Sequence, residues 1–228
     1  MSASLADMIY RCYREGQFPM ADTRESQSLN LVTPHKRALL PITGLHIARS
    51  LKRAINTHHY SVTYDTAFKE VMAACAAPSG PERLETWINP AISAIFAEYH
   101  AKGLAHSIEV WEGPRLVGGL YGIEVGAVFC GESMFSRVTN ASKIALVHLC
   151  ARLWKGGFQL LDAQFMTDHL ASLGAYEMPQ KKYVAQLHEL RDINCDFCLD
   201  ESLTERELVS DFLNEHRRLR QQERHSPS

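Results

Sequence analysis

Apolar residues at Leu5, Met8, Ile9 and Tyr13 recur at helical spacing and Gly16 offers a stop, so the chain is predicted to open with a short helix. The polar stretch Ala21 to Ser28 reads as a loop, and Leu29 to Pro41, interrupted by Pro34, is predicted to be mostly irregular. From Leu45 to Asn56 a helical pattern returns. Leu45, Ile47, Leu51 and Ile55 are apolar, and the spacing of Arg49, Lys52 and Arg53 gathers three cations on one face. Tyr60 to Tyr64 reads as a short strand, Asp65 as the cap of a helix through Ala76, and Pro78 to Pro81 as a loop. Pro90 then suits the first turn of a helix that carries Ile92, Ile95, Phe96 and Tyr99 on one side and stops at Gly103.

Beyond Gly103 the pattern changes to that of strands: Ala105 to Trp111, Leu116 to Val125 and Ala127 to Met134 form a predicted antiparallel meander. Asn140 is predicted to cap a long helix through Trp154, which Gly156-Gly157 ends. Phe158 to Gln164 returns as a strand and Gln180 to Leu190 as a helix. Leu203 to Arg224 reads as a solvated helical appendage, with acids early and Arg217, Arg218 and Arg220 late, as the helix dipole favours. A meander followed by strand, helix and strand predicts an α+β protein resembling the GNAT-like N-acyltransferase fold, a likeness that by itself gives no substrate. The expected division is a small N-terminal lobe over 1–41, the main domain over 42–195 and a helical tail over 196–228.

Composition narrows this picture. With 228 residues, 46% of them hydrophobic, the chain can bury one substantial core, and a formal charge of −2 excludes a uniformly basic coat. Any nucleic-acid contact must come from a local patch, of which Arg49, Lys52 and Arg53 are the candidate; otherwise they form a solvated helix face. No run approaches the roughly 20 apolar residues of a membrane span, and Met1 to Arg14 has no signal-peptide core, so a cytoplasmic protein without membrane contact is expected. Six scattered cysteines suit reduced thiols.

The chemistry concentrates in Phe129 to Ser136 and Leu161 to Gln164, where Glu132, Asp162 and Gln164 interrupt apolar runs. In one continuous strand, period-two alternation would point Asp162 and Gln164 to one face. With Leu120, Phe129, Met134, Leu146, Leu149 and Leu161 they describe an apolar pocket with a polar rim, although the same residues would also make an ordinary core. Ser133 lacks the second glycine of a nucleophile elbow, because Phe135 holds that place. The glycines of Gly118-Gly119-Leu120-Tyr121-Gly122 suit close backbone approach better than phosphate binding. Cys195 and Cys198 have metal-like spacing but no second pair, and the histidines form no metal motif, so no metal or cofactor is expected.

Four segments together carry a resemblance: Ala105 to Trp111, Leu116 to Gly122, Phe129 to Arg137 and His169 to Ala175 closely resemble bacterial leucyl/phenylalanyl-tRNA–protein transferases. The likeness extends from about Gly16 to Leu190. It implies transfer of leucine, phenylalanine or methionine from aminoacyl-tRNA to proteins with N-terminal Arg or Lys, marking them for N-end-rule degradation, by a cytoplasmic and monomeric enzyme without a cofactor. It also implies that Asp162 orients Gln164, that Gln164 contacts the attacking amine, and that Glu132 complements the cationic acceptor N-terminus or helps orient it. In the same way Trp87 would stack on the tRNA 3′ adenosine, and Arg49, Lys52 and Arg53 would touch the tRNA backbone. The chain departs from the family pattern at Met20, Leu31 and Val32, which stand where tryptophans are usual; Met20 would then pack against the base through its thioether. The alternative reading, an acyl-CoA-dependent N-acetyltransferase of the same fold, lacks its glycine-rich pyrophosphate loop, since Arg137 to Ala141 has no glycine.

Overall fold

The computed structural model describes residues 4–26, 28–57, 59–77, 86–200 and 202–225, with side chains to 222. The loop expected at Pro78 to Pro81 lies outside the described residues. In chain order the elements are α1 (Leu5–Arg14), β1 (Phe18–Met20), β2 (Asn30–Val32), β3 (Lys36–Leu40), α2 (Arg49–Asn56), β4 (Ser61–Tyr64), α3 (Phe68–Ala76) and α4 (Pro90–Ala101). There follow β5 (Ala105–Glu112), β6 (Arg115–Val125), β7 (Val128–Ser136), α5 (Ala141–Gly156), β8 (Leu160–Asp162), α6 (Asp168–Ser172), β9 (Tyr176–Pro179), α7 (Gln180–Leu190) and α8 (Glu205–His225).

Seven strands form one sheet in the order β4-β5-β6-β7-β8-β3-β9, and β1 pairs separately with β2. The meander β5-β6-β7 is antiparallel as expected, and α5 returns the chain so that β8 runs parallel to β7. Mixed α+β architecture follows. Neighbouring strand residues bury on opposite faces: Val128 and Cys130 join the cluster of α1, α3, α4 and α7, whereas Phe129 joins that of α2, α5 and α8. Helices therefore cover both faces. Gly118 permits close approach of α5 to the sheet, because a Cβ there would collide with Ala141 at the start of that helix.

Several expectations fail for identifiable reasons. The 29–41 stretch is not mostly irregular: β3 lies inside the sheet between β8 and β9, and its pattern is disguised because Arg37 occupies a buried position. Asp65 caps no helix; at φ 55° its carboxylate accepts the Ser107 N–H and bonds His106, while α3 begins without a side-chain cap. Asn140 likewise makes no capping bond, because its backbone is left-handed at φ 69°. The helix expected from Leu45 begins only at Arg49. Pro90 does open α4, with Asn89 accepting the Ile92 N–H.

The reading of Leu203 to Arg224 as a solvated appendage is also wrong. Leu208, Val209, Phe212 and Leu213 of α8 enter the core beside α5, and Phe212 meets Trp154 at 6.0 Å between rings. Fully burying such a side chain is worth about 1.5–3 kcal/mol. Glu205 then ties the start of α8 to His148 and Arg152 of α5. The helix displays only one apolar stripe amid many charges, and a stripe reveals its partner only when the partner is in place.

Candidate active site

The site forms where two strands part. β7 and β8 pair only from Val128↔Leu160 to Cys130↔Asp162; beyond that point β8 ends and the strands separate. Against β6, Gly122 pairs with Gly131 and Tyr121 with Ser133, which leaves Glu132 as the extra residue of a β-bulge. A bulge bends its strand and re-aims a side chain, so Glu132 departs from the simple alternation of β7. The result is a cleft of about 250 Å3 lined by Leu120, Met134, Leu146, Leu149 and Leu161, with Glu132, Asp162 and Gln164 in its wall. Five of the six apolar residues expected there line it. Phe129 does not: it is fully buried in the core, stacked on Phe197 at 5.6 Å.

Asp162 and Gln164 meet differently from the alternation expected of one strand. The chain leaves β8 after Asp162, and Gln164 has φ 58°, a left-handed conformation uncommon for a residue with a long side chain. The turn is held by the Gln164 N–H, which donates to Asp162 Oδ1 at 2.9 Å, and by the Gln164 carbonyl, which accepts the Ala38 N–H at 3.1 Å. Gln164 Nε2 thereby comes 3.3 Å from Glu132 Oε1. Asp162 acts on Gln164 through the backbone.

Three residues that sequence patterns did not single out complete the wall's support. Arg37 Nε lies 3.3 Å from Asp162 Oδ2, the Tyr183 hydroxyl donates to the same oxygen at 2.8 Å, and the Tyr13 hydroxyl donates to Glu132 Oε1 at 2.8 Å. All three side chains are fully buried. Arg37 is sandwiched between the rings of Phe18 and Tyr183, 4.8 and 4.4 Å away, and donates to the Gly16 carbonyl. The only signal is a cation beside an apolar run; Tyr13 reads as an ordinary apolar residue of α1, and nothing in the local pattern of α7 marks Tyr183.

Burial raises the Asp162 pKa, and the guanidinium of Arg37 opposes the rise. Burial also pushes Glu132 up to about 8, against the pull of the Tyr13 hydroxyl and with the help of the Asp162 charge. Between the ordinary carboxyl value of 4.5 and about 8 the folded protein holds a proton that the unfolded chain has lost, so this group lowers stability as pH rises through that window. Glu132→Gln is expected to remove this component, flattening the fall in urea-unfolding free energy between pH 5 and about 8 relative to the wild type. An identical slope in the two proteins would show that Glu132 titrates normally.

Other expected residues lie outside the cleft wall. Trp87 and Met20 are half-buried against the cluster of α1, α3 and α4, and neither lines the cavity. Arg49 and Arg53 of α2 are exposed and Lys52 is half-buried; none has an ion pair among the described residues. Cys198 falls within 4.8 Å of groups on Asp65 and His106, a convergence that its spacing from Cys195 did not reveal. Asp65 already engages the His106 ring at 2.7 Å, and Glu124 lies 3.6 Å from its other nitrogen. Among the described residues, no helix is long and apolar enough to cross a membrane.

A family model described as leucyl/phenylalanyl-tRNA protein transferase matches residues 39–188. The chain is 51% identical over 186 residues to the leucyl/phenylalanyl-tRNA–protein transferase of Phenylobacterium zucineum, covering 82% of this chain and 84% of that protein. It is 49% identical over 194 residues to that of Rhodospirillum rubrum, with 85% and 91% covered, and 53% identical over 187 residues to that of Rhizorhabdus wittichii, with 82% and 75% covered.

Proposed function

Since the chain belongs to the leucyl/phenylalanyl-tRNA–protein transferase family, we propose that it moves leucine, phenylalanine or methionine from aminoacyl-tRNA to the N-terminal Arg or Lys of acceptor proteins, marking them for N-end-rule degradation. The observation that carries this reading is an apolar cleft closed at one wall by Glu132 and Gln164. At about 30 Å3 per water-sized group, some 250 Å3 accommodates the seven carbons of a benzyl side chain. β-Branched donors would be excluded at its neck by shape.

The chemistry needs no covalent nucleophile, because the aminoacyl ester is already activated. The acceptor amine forms the new C–N bond to the ester carbonyl carbon, the bond to the ribose oxygen breaks, and the amine's proton ends on that oxygen. Holding amine and ester together supplies much of the acceleration. In our reading Gln164 touches the attacking amine, and Asp162, Arg37 and Tyr183 are positioning residues that hold the turn bearing it. Glu132 helps orient the acceptor N-terminus, and complements its charge once its own proton is lost. Its pKa of about 8 matches that of an α-amine, roughly 8, so a proton passes between them at little free-energy cost.

Trp87 and Met20 would receive the tRNA 3′ adenosine, and Arg49, Lys52 and Arg53 its backbone. We assign aminoacyl transfer to 42–195, support of the site to 1–41 through Tyr13 and Arg37, and read the sheet as GNAT-like and the enzyme as a cytoplasmic monomer. Labelled leucine from leucyl-tRNA is expected on peptides beginning with Arg or Lys and not Asp or Met, with acetyl-CoA inert as a parallel donor. No transfer from tRNA would defeat the proposal. Met134→Ala should lower the preference for leucyl over valyl donors by about tenfold, the scale of one missing contact in an apolar pocket. Unchanged donor ratios would remove Met134 from the neck.

A further inference from the structure

α8 brings cations to the same part of the surface as α2, although more than 160 residues separate them in sequence. The buried His216 makes the join: its Nε2–H donates at 2.7 Å to the carbonyl of Leu45, just ahead of α2. On the following turn stand Arg217 and Arg220, both exposed, and their field reaches Lys52 of α2. Burial, together with these two neighbours, holds the Lys52 ammonium below the usual lysine range. Among the described residues, no ion pair involves Arg49, Lys52, Arg53, Arg217 or Arg220. Arg218, between them in sequence, is by contrast held by Glu215 at 2.6 Å.

Lys52, which shares α2 with Arg49 and Arg53, thus meets the α8 cations Arg217 and Arg220, and among the described residues none of the five has a carboxylate partner, on a protein whose net charge is −2. The helix dipole accounts for cations in a last turn, but Arg217 lies two turns before the end of α8, and the dipole does not account for placing it beside Lys52. Like charges held within a Debye length, about 10 Å at 0.1 M salt, repel one another; a polyanion laid across them reverses the sign. We propose that Arg217 and Arg220 of α8 join Arg49, Lys52 and Arg53 in one phosphate-binding surface for the body of the donor tRNA. The inference rests on the tRNA reading above and extends it to a helix that lies beyond the matched family segment, residues 39–188. Phosphate contacts of this kind add affinity that is independent of sequence and sensitive to salt.

The test is binding of leucyl-tRNA to the full chain across a salt series, with Arg217→Gln/Arg220→Gln compared with a charge-matched control, Lys155→Gln/Arg206→Gln. The control removes two exposed cations elsewhere, one of them at the opposite end of the same helix. Loss of two phosphate contacts is expected to weaken binding roughly tenfold near 0.1 M salt and to reduce the slope of log affinity against log salt by about 2. The control should match the wild type. Equal slopes and affinities in the α8 variant and the wild type would overturn the proposal, as would an equal loss in the control, which would mean that only total charge matters. Wild-type protein that neither binds leucyl-tRNA nor transfers from it would instead defeat the underlying functional reading, and this inference with it.

Discussion

Gln164→Gly is expected to lower aminoacyl transfer by about 10²- to 10³-fold, the loss typical of removing one polar group that acts at the reacting atoms, while leaving the fold as stable as the wild type or about 1 kcal/mol more stable. The two halves of this expectation come from different parts of the same residue. The backbone of Gln164 is held at φ 58°, which disfavours any residue with a Cβ, and glycine relieves that strain. Its side chain makes one long contact, 3.3 Å, to Glu132, so its removal takes little from the fold. A purely structural glutamine would show the reverse, with stability falling and transfer surviving. Single-turnover transfer from leucyl-tRNA and urea unfolding on the same preparation separate the cases, and retained transfer would remove Gln164 from the chemistry.

Arg37→Met should produce the largest loss of stability, about 3–5 kcal/mol, because it leaves the Asp162 carboxylate buried without its cation. Transfer should fall with it, since Asp162 holds the Gln164 N–H that sets the turn. Adding Asp162→Asn removes the stranded charge, and the amide can still accept from Gln164 and bond Tyr183. The double variant is therefore expected to regain most of the stability, measured as the urea midpoint at constant m-value. If it stays as unstable as the single variant, the loss belongs to the packing of Arg37 between Phe18 and Tyr183 and not to the ion pair.

Where local spacing carries the information, the elements could be read directly. α4 and α7, the meander and the helix between β7 and β8 follow from apolar period, proline and glycine, since these act over a few residues. The cleft's apolar residues were legible for the same reason, with Phe129 as the exception: it belongs to the same core cluster as the lining residues, but it sits where β7 and β8 are still paired, and a strand pattern does not show where two strands part. β3 escaped because its buried cation is tolerable only beside Asp162, a partner 125 positions away. α8 escaped because one apolar stripe does not reveal whether anything covers it.

By itself the sequence determined the class of the fold, the family, and the three polar residues proposed for the site. Tertiary structure alone decided how those residues meet. A bulge aims Glu132, a left-handed turn aims Gln164, and two tyrosines and an arginine from remote elements hold the carboxylates in place. The reason is range: propensity and period act over a few neighbours, whereas strand register, burial of charge and the convergence of α2 with α8 exist only once distant segments have packed.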